Sequence, residues 1–142
     1  MVILNSWYYN NNNNFKKMKL TENFNIEEFY CKDGSHIPPE YMGNVVELAV
    51  NLQVLRDKIQ CPIHINSGYR SPEYNKKIGG VKSSQHMVAK AADITTRDYS
   101  PSELATIIET LIASGKMKEG GVGRYKGFTH YDVRGTKARW NG

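Results

Sequence analysis

Between Pro39 and Gln60 the apolar residues Tyr41, Val45, Leu48, Leu52, Leu55 and Ile59 recur at alternating spacings of four and three. With 3.6 residues to a helical turn, that repeat sets all six on one stripe of an α-helix. A helix with a single apolar stripe has to bury it against other elements, so a chain that carries it must build a core around it. Pro62 ends the helix, and the β-branched run "IHIN" behind it reads as a buried strand leading into "SGYRSP".

Weaker signals place the remaining elements. In "NFNIEEFYCKDG", Asn25 caps a short helix, Glu28 three residues later completes a capping-box pattern, and Gly34 ends it. Ser71 and Pro72 open a second short helix that stops at Gly79 and Gly80. "SPSEL" opens a third, with Ser100 as cap, Pro101 in first position, Glu103 three after the cap and Gly115 as terminator. Its apolar face is Leu104, Ile107, Ile108, Leu111 and Ile112. "AADIT" reads as a strand, and "GGVGRYKGFTHYDVRG" as two strands around a Lys126-Gly127 turn. The expected fold is α+β, a small antiparallel sheet with helices packed on it, in one domain spanning residues 20–142. Residues 1–19 are expected to form an Asn-rich extension too polar to order itself.

A net charge of +5 favours anionic partners: nucleic acid, an anionic lipid surface or the bacterial cell wall. Lys and Arg are scattered, the densest cluster being Lys16, Lys17 and Lys19, and no nucleic-acid motif accompanies them. No apolar run approaches the roughly 18 residues of a membrane span. The N-terminus opens on apolar rather than charged residues and is not a recognisable secretory signal, so the location stays open. The expectations are no nucleic-acid partner, no membrane span and a monomer. Cys31 and Cys61 lie in no CxxC, which speaks against a zinc finger, and the sequence does not fix whether they pair.

The stretch "SSQHMVAKAADI" sets His86 and Asp93 seven positions apart. On a helix they would lie about 10.5 Å apart along the axis, too far to share a metal. An extended loop doubling back into the strand "AADIT" brings them together, and Ala89, Ala91 and Ala92 allow close backbone approach. In the strand "FTHYDVR", alternation points His130 and Asp132 to one face and Thr129 and Tyr131 to the other. His86, Asp93 and His130 then form a two-histidine, one-carboxylate set, the three-ligand arrangement of a catalytic zinc with an open water position. Zinc there would acidify water and polarise a carbonyl, the chemistry of amide hydrolysis. His36, in a Gly/Ser/Pro loop, and His64, within "PIHIN", read as ordinary structural or surface histidines.

Together "INSGYRSPEYNKKIGGVKSSQHMVAKAADI" and "GGVGRYKGFTHYDVRG" closely resemble the zinc D-alanyl-D-alanine carboxypeptidase family of peptidoglycan metallopeptidases. The fold of that family also underlies the vancomycin-resistance dipeptidases and the hedgehog signalling domain, and the resemblance covers the chain from about Leu20 onward. It implies zinc as cofactor, His86, Asp93 and His130 as its ligands, and peptidoglycan stem peptides as substrate. It also implies that Arg70 holds a substrate carboxylate or the developing oxyanion, a role that a forked guanidinium suits. Tyr69, Ser84 and Gln85 are the accompanying substrate-binding candidates, with Ser67 nearby. The expected activity is a zinc peptidase of the D-Ala-D-Ala carboxypeptidase type. The alternatives are an endolysin-like endopeptidase and a non-catalytic zinc-binding module, and bacteria and phages would both use such a hydrolase.

Two positions depart from the family pattern. Ala89 stands where many relatives carry glycine, and Gly127 where several branches place an acidic residue three before the last histidine. Asp132 is therefore the candidate general base, because alternation aims it at the metal side. Its other reading is a partner that orients a histidine ligand.

Overall fold

A computed structural model describes residues 18–142. The apolar stripe forms α1 (Met42–Ile59), entered through a 3-10 turn at Pro39–Tyr41 and closed by Gln60 in the left-handed region at φ 53°. Val45, Leu48, Leu52, Leu55 and Ile59 are buried, each contributing roughly 1.5–3 kcal/mol by leaving water, while Tyr41 at the helix entrance is half-buried.

Five strands follow: β1 (Ile63–Ser67), β2 (Ala91–Thr96), β3 (Gly121–Arg124), β4 (Thr129–Asp132) and β5 (Ala138–Asn141). Their order across the sheet is β1-β2-β4-β3-β5. The first four pair antiparallel, as expected, and β3 and β4 flank the Lys126-Gly127 turn. The fifth strand is an addition to the expected sheet. After Asp132 the chain wraps the start of β3, with Gly135 N–H on Glu119 O and Ala138 N–H on Gly120 O, and returns as an edge strand parallel to β3. Its sequence "ARWN" is too short and too polar to show a strand period.

The two further helices are α2 (Pro72–Lys77) and α3 (Pro101–Ala113), begun by the expected caps: Ser71 Oγ accepts from Tyr74 N–H, and Ser100 Oγ from Glu103 N–H. The N-terminal helix is shorter than expected, a 3-10 turn at Ile26–Phe29 that ends at an extended Tyr30 rather than at Gly34. Cys31 and Gly34 instead close a turn of their own, with Gly34 N–H on Cys31 O at 3.0 Å. α3 packs across β2, β4 and β3 and touches α1, so the core lies between the helices and one sheet face. The opposite face is left for a cleft.

Of the expected Asn-rich extension only residues 18 and 19 are described, and the rest lies outside the described residues. Met18 packs against the core and Lys19 bridges Asn25. Cys31 and Cys61 are free, buried thiols. Among the described residues no helix is long and apolar enough to cross a membrane.

Candidate metal centre and its cleft

Strand register brings the centre together. Asp93 on β2 pairs with His130 on β4, His130 with Gly123 on β3, and Gly123 with Trp140 on β5. Residues paired across neighbouring strands share a face, so Asp93 and His130 stand side by side, His130 Nδ1 3.1 Å from Asp93 Oδ1. His86 arrives from another direction, on a 3-10 turn (Gln85–Val88) that follows a loop and runs back into β2. Ser84 Oγ caps that turn by accepting from His86 N–H at 3.2 Å, and Arg70 N–H donates to His86 O at 3.0 Å. His86 Nε2 then lies 3.3 Å from the same Asp93 Oδ1. One donor atom from each of the three residues falls within 4.8 Å of the others, and all three side chains are buried.

Each imidazole is fixed from behind. His86 Nδ1 meets the carbonyl of Gly68 at 2.7 Å, and His130 Nε2 meets Asp132 Oδ2 at 2.7 Å. Gly68 is pressed so close to the backbone of Phe29 that a Cβ would come within 2.7 Å of Phe29 Cα, which pins the carbonyl that holds His86. With those outer nitrogens donating, both inner nitrogens present lone pairs to a carboxylate oxygen. Three acceptors facing one another repel unless a cation, or a proton on one ring, lies among them. The donor set therefore fits a borderline-soft divalent ion such as zinc, which imidazole nitrogen and carboxylate oxygen bind well.

Electrostatics separate the two histidines. Burial pushes His86 below the ordinary imidazole value, and the neighbouring Asp93 only partly opposes this. Burial acts the same way on His130, but hydrogen bonds with Asp132 and Asp93 outweigh it and raise the ring above its ordinary value. Burial would raise Asp93, yet its bonds with His130 and His86 hold it well below the usual carboxylate range.

The cleft above this floor has a volume of about 440 Å³. Arg70 lines it, its guanidinium steered by Ser67 Oγ (3.2 Å), Asn75 Oδ1 (3.4 Å) and Asp93 Oδ2 (3.2 Å). Ser84 and Gln85 line it too, whereas Tyr69 does not: its ring is buried in the core, 6.5 Å from that of Tyr41. Tyr69, expected as a substrate contact, thus packs within the core and not on the cleft wall. His36 stacks on Tyr30 and His64 is exposed on β1, both away from the centre.

Alternation does put Asp132 on the face of His130, but behind the ring rather than beside the donor atoms. It is fully buried, and both oxygens are occupied: Oδ1 accepts from Gly121 N–H (2.9 Å) and Arg134 Nε (2.8 Å), Oδ2 from Arg134 Nη2 and His130. These bonds outweigh burial and keep the carboxylate well below its usual range, and through Oδ2 it holds the His130 ring from behind. Gly127 is exposed in the β3–β4 turn, and among the described residues lining the cleft Asp93 is the only carboxylate.

Ala89 follows the His86 turn at φ 58°, the left-handed conformation that a glycine adopts freely, so the backbone shape is kept at a cost of about 1–2 kcal/mol. Sequence reasoning missed Arg134 and the aromatic wall of Tyr125, Phe128 and Trp140 that lines the cleft. Arg134 was within reach, because the alternation that aligns His130 with Asp132 extends two residues further; Trp140 was not, because β5 itself was unseen.

A sequence model described as peptidase M15 matches residues 17–132. No curated protein matches the chain.

Proposed function

The chain belongs to the peptidase M15 family, and from that membership we propose that it is a zinc-dependent peptidase acting on peptidoglycan stem peptides, of the D-Ala-D-Ala carboxypeptidase type. The observation that carries this reading is the convergence of His86, Asp93 and His130 on one point at the floor of a cleft. His86 through Nε2, His130 through Nδ1 and Asp93 through Oδ1 would hold the zinc, since Gly68 O and Asp132 occupy the outer ring nitrogens. Bound there, zinc supplies a Lewis acid that acidifies water and polarises the scissile carbonyl.

The chain's own groups do the rest. Arg70, aimed by Ser67, Asn75 and Asp93, presents its remaining N–H groups to negative charge in the cleft, either a terminal carboxylate or the oxygen of a tetrahedral intermediate. Ser84 and Gln85 offer polar contacts to the peptide beside it. Asp132 and Arg134 keep His130 in one tautomer and orientation. A non-catalytic zinc module has no need of a guanidinium facing the cleft, which weighs against that alternative.

Cleavage within a longer peptide is favoured by one separate observation. The exposed large apolar side chains among the described residues, Ile78 and Val81, both stand on the rim of this cleft, where they would meet substrate residues beyond the scissile bond. Incubating the protein with purified muropeptides, with and without a chelator, tests both readings. Chelator-sensitive release of D-alanine is expected for the carboxypeptidase; chelator-sensitive shortening without free D-alanine would assign the endopeptidase. No cleavage at full zinc occupancy would overturn the peptidase reading.

A further inference from the structure

We propose that Trp140, carried by β5, is a positioning residue of the metal centre, holding His130 from the side that Asp132 does not reach. The inference rests on the reading of His130 as a metal ligand.

The row across the sheet that contains the centre runs Asp93, His130, Gly123, Trp140. Its third member has no side chain, so Trp140 can lean across β3 to reach His130, two strands away. Its ring lies 4.8 Å from the His130 ring, centroid to centroid, at an interplanar angle of 54°. A Cβ at position 123 would sit 2.6 Å from two atoms of the indole, which shows how closely the ring lies on the strand backbone.

Two further contacts fix the indole. Its Nε1 donates to Tyr125 Oη at 2.8 Å, and Tyr125 in turn stacks on Phe128 with ring centroids 4.3 Å apart. The guanidinium carbon of Arg134 lies 5.5 Å from the centre of the indole ring, within cation–π range. Arg134 is the group that grips Asp132, so Trp140 acts on His130 twice, directly and through the Arg134–Asp132 pair. β5 itself is tied down by Arg139, which bonds Glu109 at 2.8 Å, Glu119 at 2.9 Å and Gly120 O at 2.6 Å.

Without the indole, His130 would keep its two hydrogen bonds but lose the packing that limits rotation of the ring, and the cleft wall beside it would open to water. Partners that orient a metal ligand commonly govern 10–100-fold in metal affinity. Trp140 lies beyond residues 17–132, the part of the chain that matches the family, so a segment outside that match completes the centre.

The test is zinc affinity measured by chelator competition on the full chain, with circular dichroism and thermal unfolding of each metal-free form as the check on folding. Trp140→Leu, which keeps apolar bulk on β5, is expected to weaken zinc binding by about tenfold or more, and Trp140→Phe to restore most of it. Gly123→Ala reaches the same end with Trp140 itself unchanged, its added Cβ pushing the ring off the strand, and is expected to weaken zinc binding as well. A folded Trp140→Leu or Gly123→Ala protein that binds zinc as tightly as the parent overturns the inference. If the parent itself binds no zinc, it is the functional reading that fails.

Discussion

The two faces of β4 are built from alternate residues of one four-residue strand, yet they are finished differently. On the helix side Tyr131 and Thr129 are completely buried, and each finds a backbone acceptor, Tyr131 Oη donating to Lys118 O at 2.7 Å and Thr129 Oγ1 to Pro101 O at 2.6 Å. On the cleft side Asp132 is as deeply placed and His130 nearly so, but the inner nitrogen of His130 faces a carboxylate oxygen already shared with His86. One face is complete with the atoms of the chain. The other is complete only when a positive charge joins it, and that difference separates a core from a site.

The sharpest break in the comparison is His130→Ala. It is expected to abolish zinc-dependent turnover, by well over a hundredfold, while the metal-free protein still unfolds cooperatively; turnover retained within tenfold would remove His130 from the centre. One residue along, Tyr131→Ala is expected to cost about 3–5 kcal/mol of stability in denaturant titrations, because it empties a fully buried aromatic site. Any zinc affinity it loses should follow from unfolding alone.

Asp132→Asn sharpens the cleft side. As a brace, Asp132 governs zinc affinity, so the variant should bind zinc 10–100-fold more weakly, with turnover at saturating zinc falling less than tenfold. A turnover loss beyond a hundredfold at full zinc occupancy would restore it as the general base.

The smallest effect is expected at Ala89. Replacement by glycine relieves about 1–2 kcal/mol of left-handed strain. It also forfeits about 0.8 kcal/mol of methyl burial and about 0.4–1 kcal/mol through the freer unfolded chain. The midpoint of thermal unfolding should therefore move by no more than a few degrees, whereas Ala89→Val, β-branched at a positive φ, should lower it clearly.

What could be read before the structure follows the same division. Period and cap signals are local, so α1, α2, α3 and the β3–β4 turn were legible from Val45, Ser71, Pro101 and Lys126 and their neighbours. The alternation of "THYD" was equally local and put His130 and Asp132 on one face. What was not legible depended on contacts between distant segments. Tyr69 looks like a cleft residue beside Arg70, but the core closes over it. The side of His130 on which Asp132 sits is set by Gly121 and Arg134, and the presence of Trp140 by an edge strand that pairs parallel to β3. The 3-10 turn at Ile26–Phe29 ends early because Cys31 and Gly34 close a separate turn, again a matter of partners and not of period.

The central claim is that His86, Asp93 and His130 share one zinc ion. Metal analysis of the parent protein beside His86→Ala, both dialysed against the same trace zinc, tests it most directly. One zinc per chain in the parent and almost none in the variant is the predicted result; equal zinc in the two would contradict it.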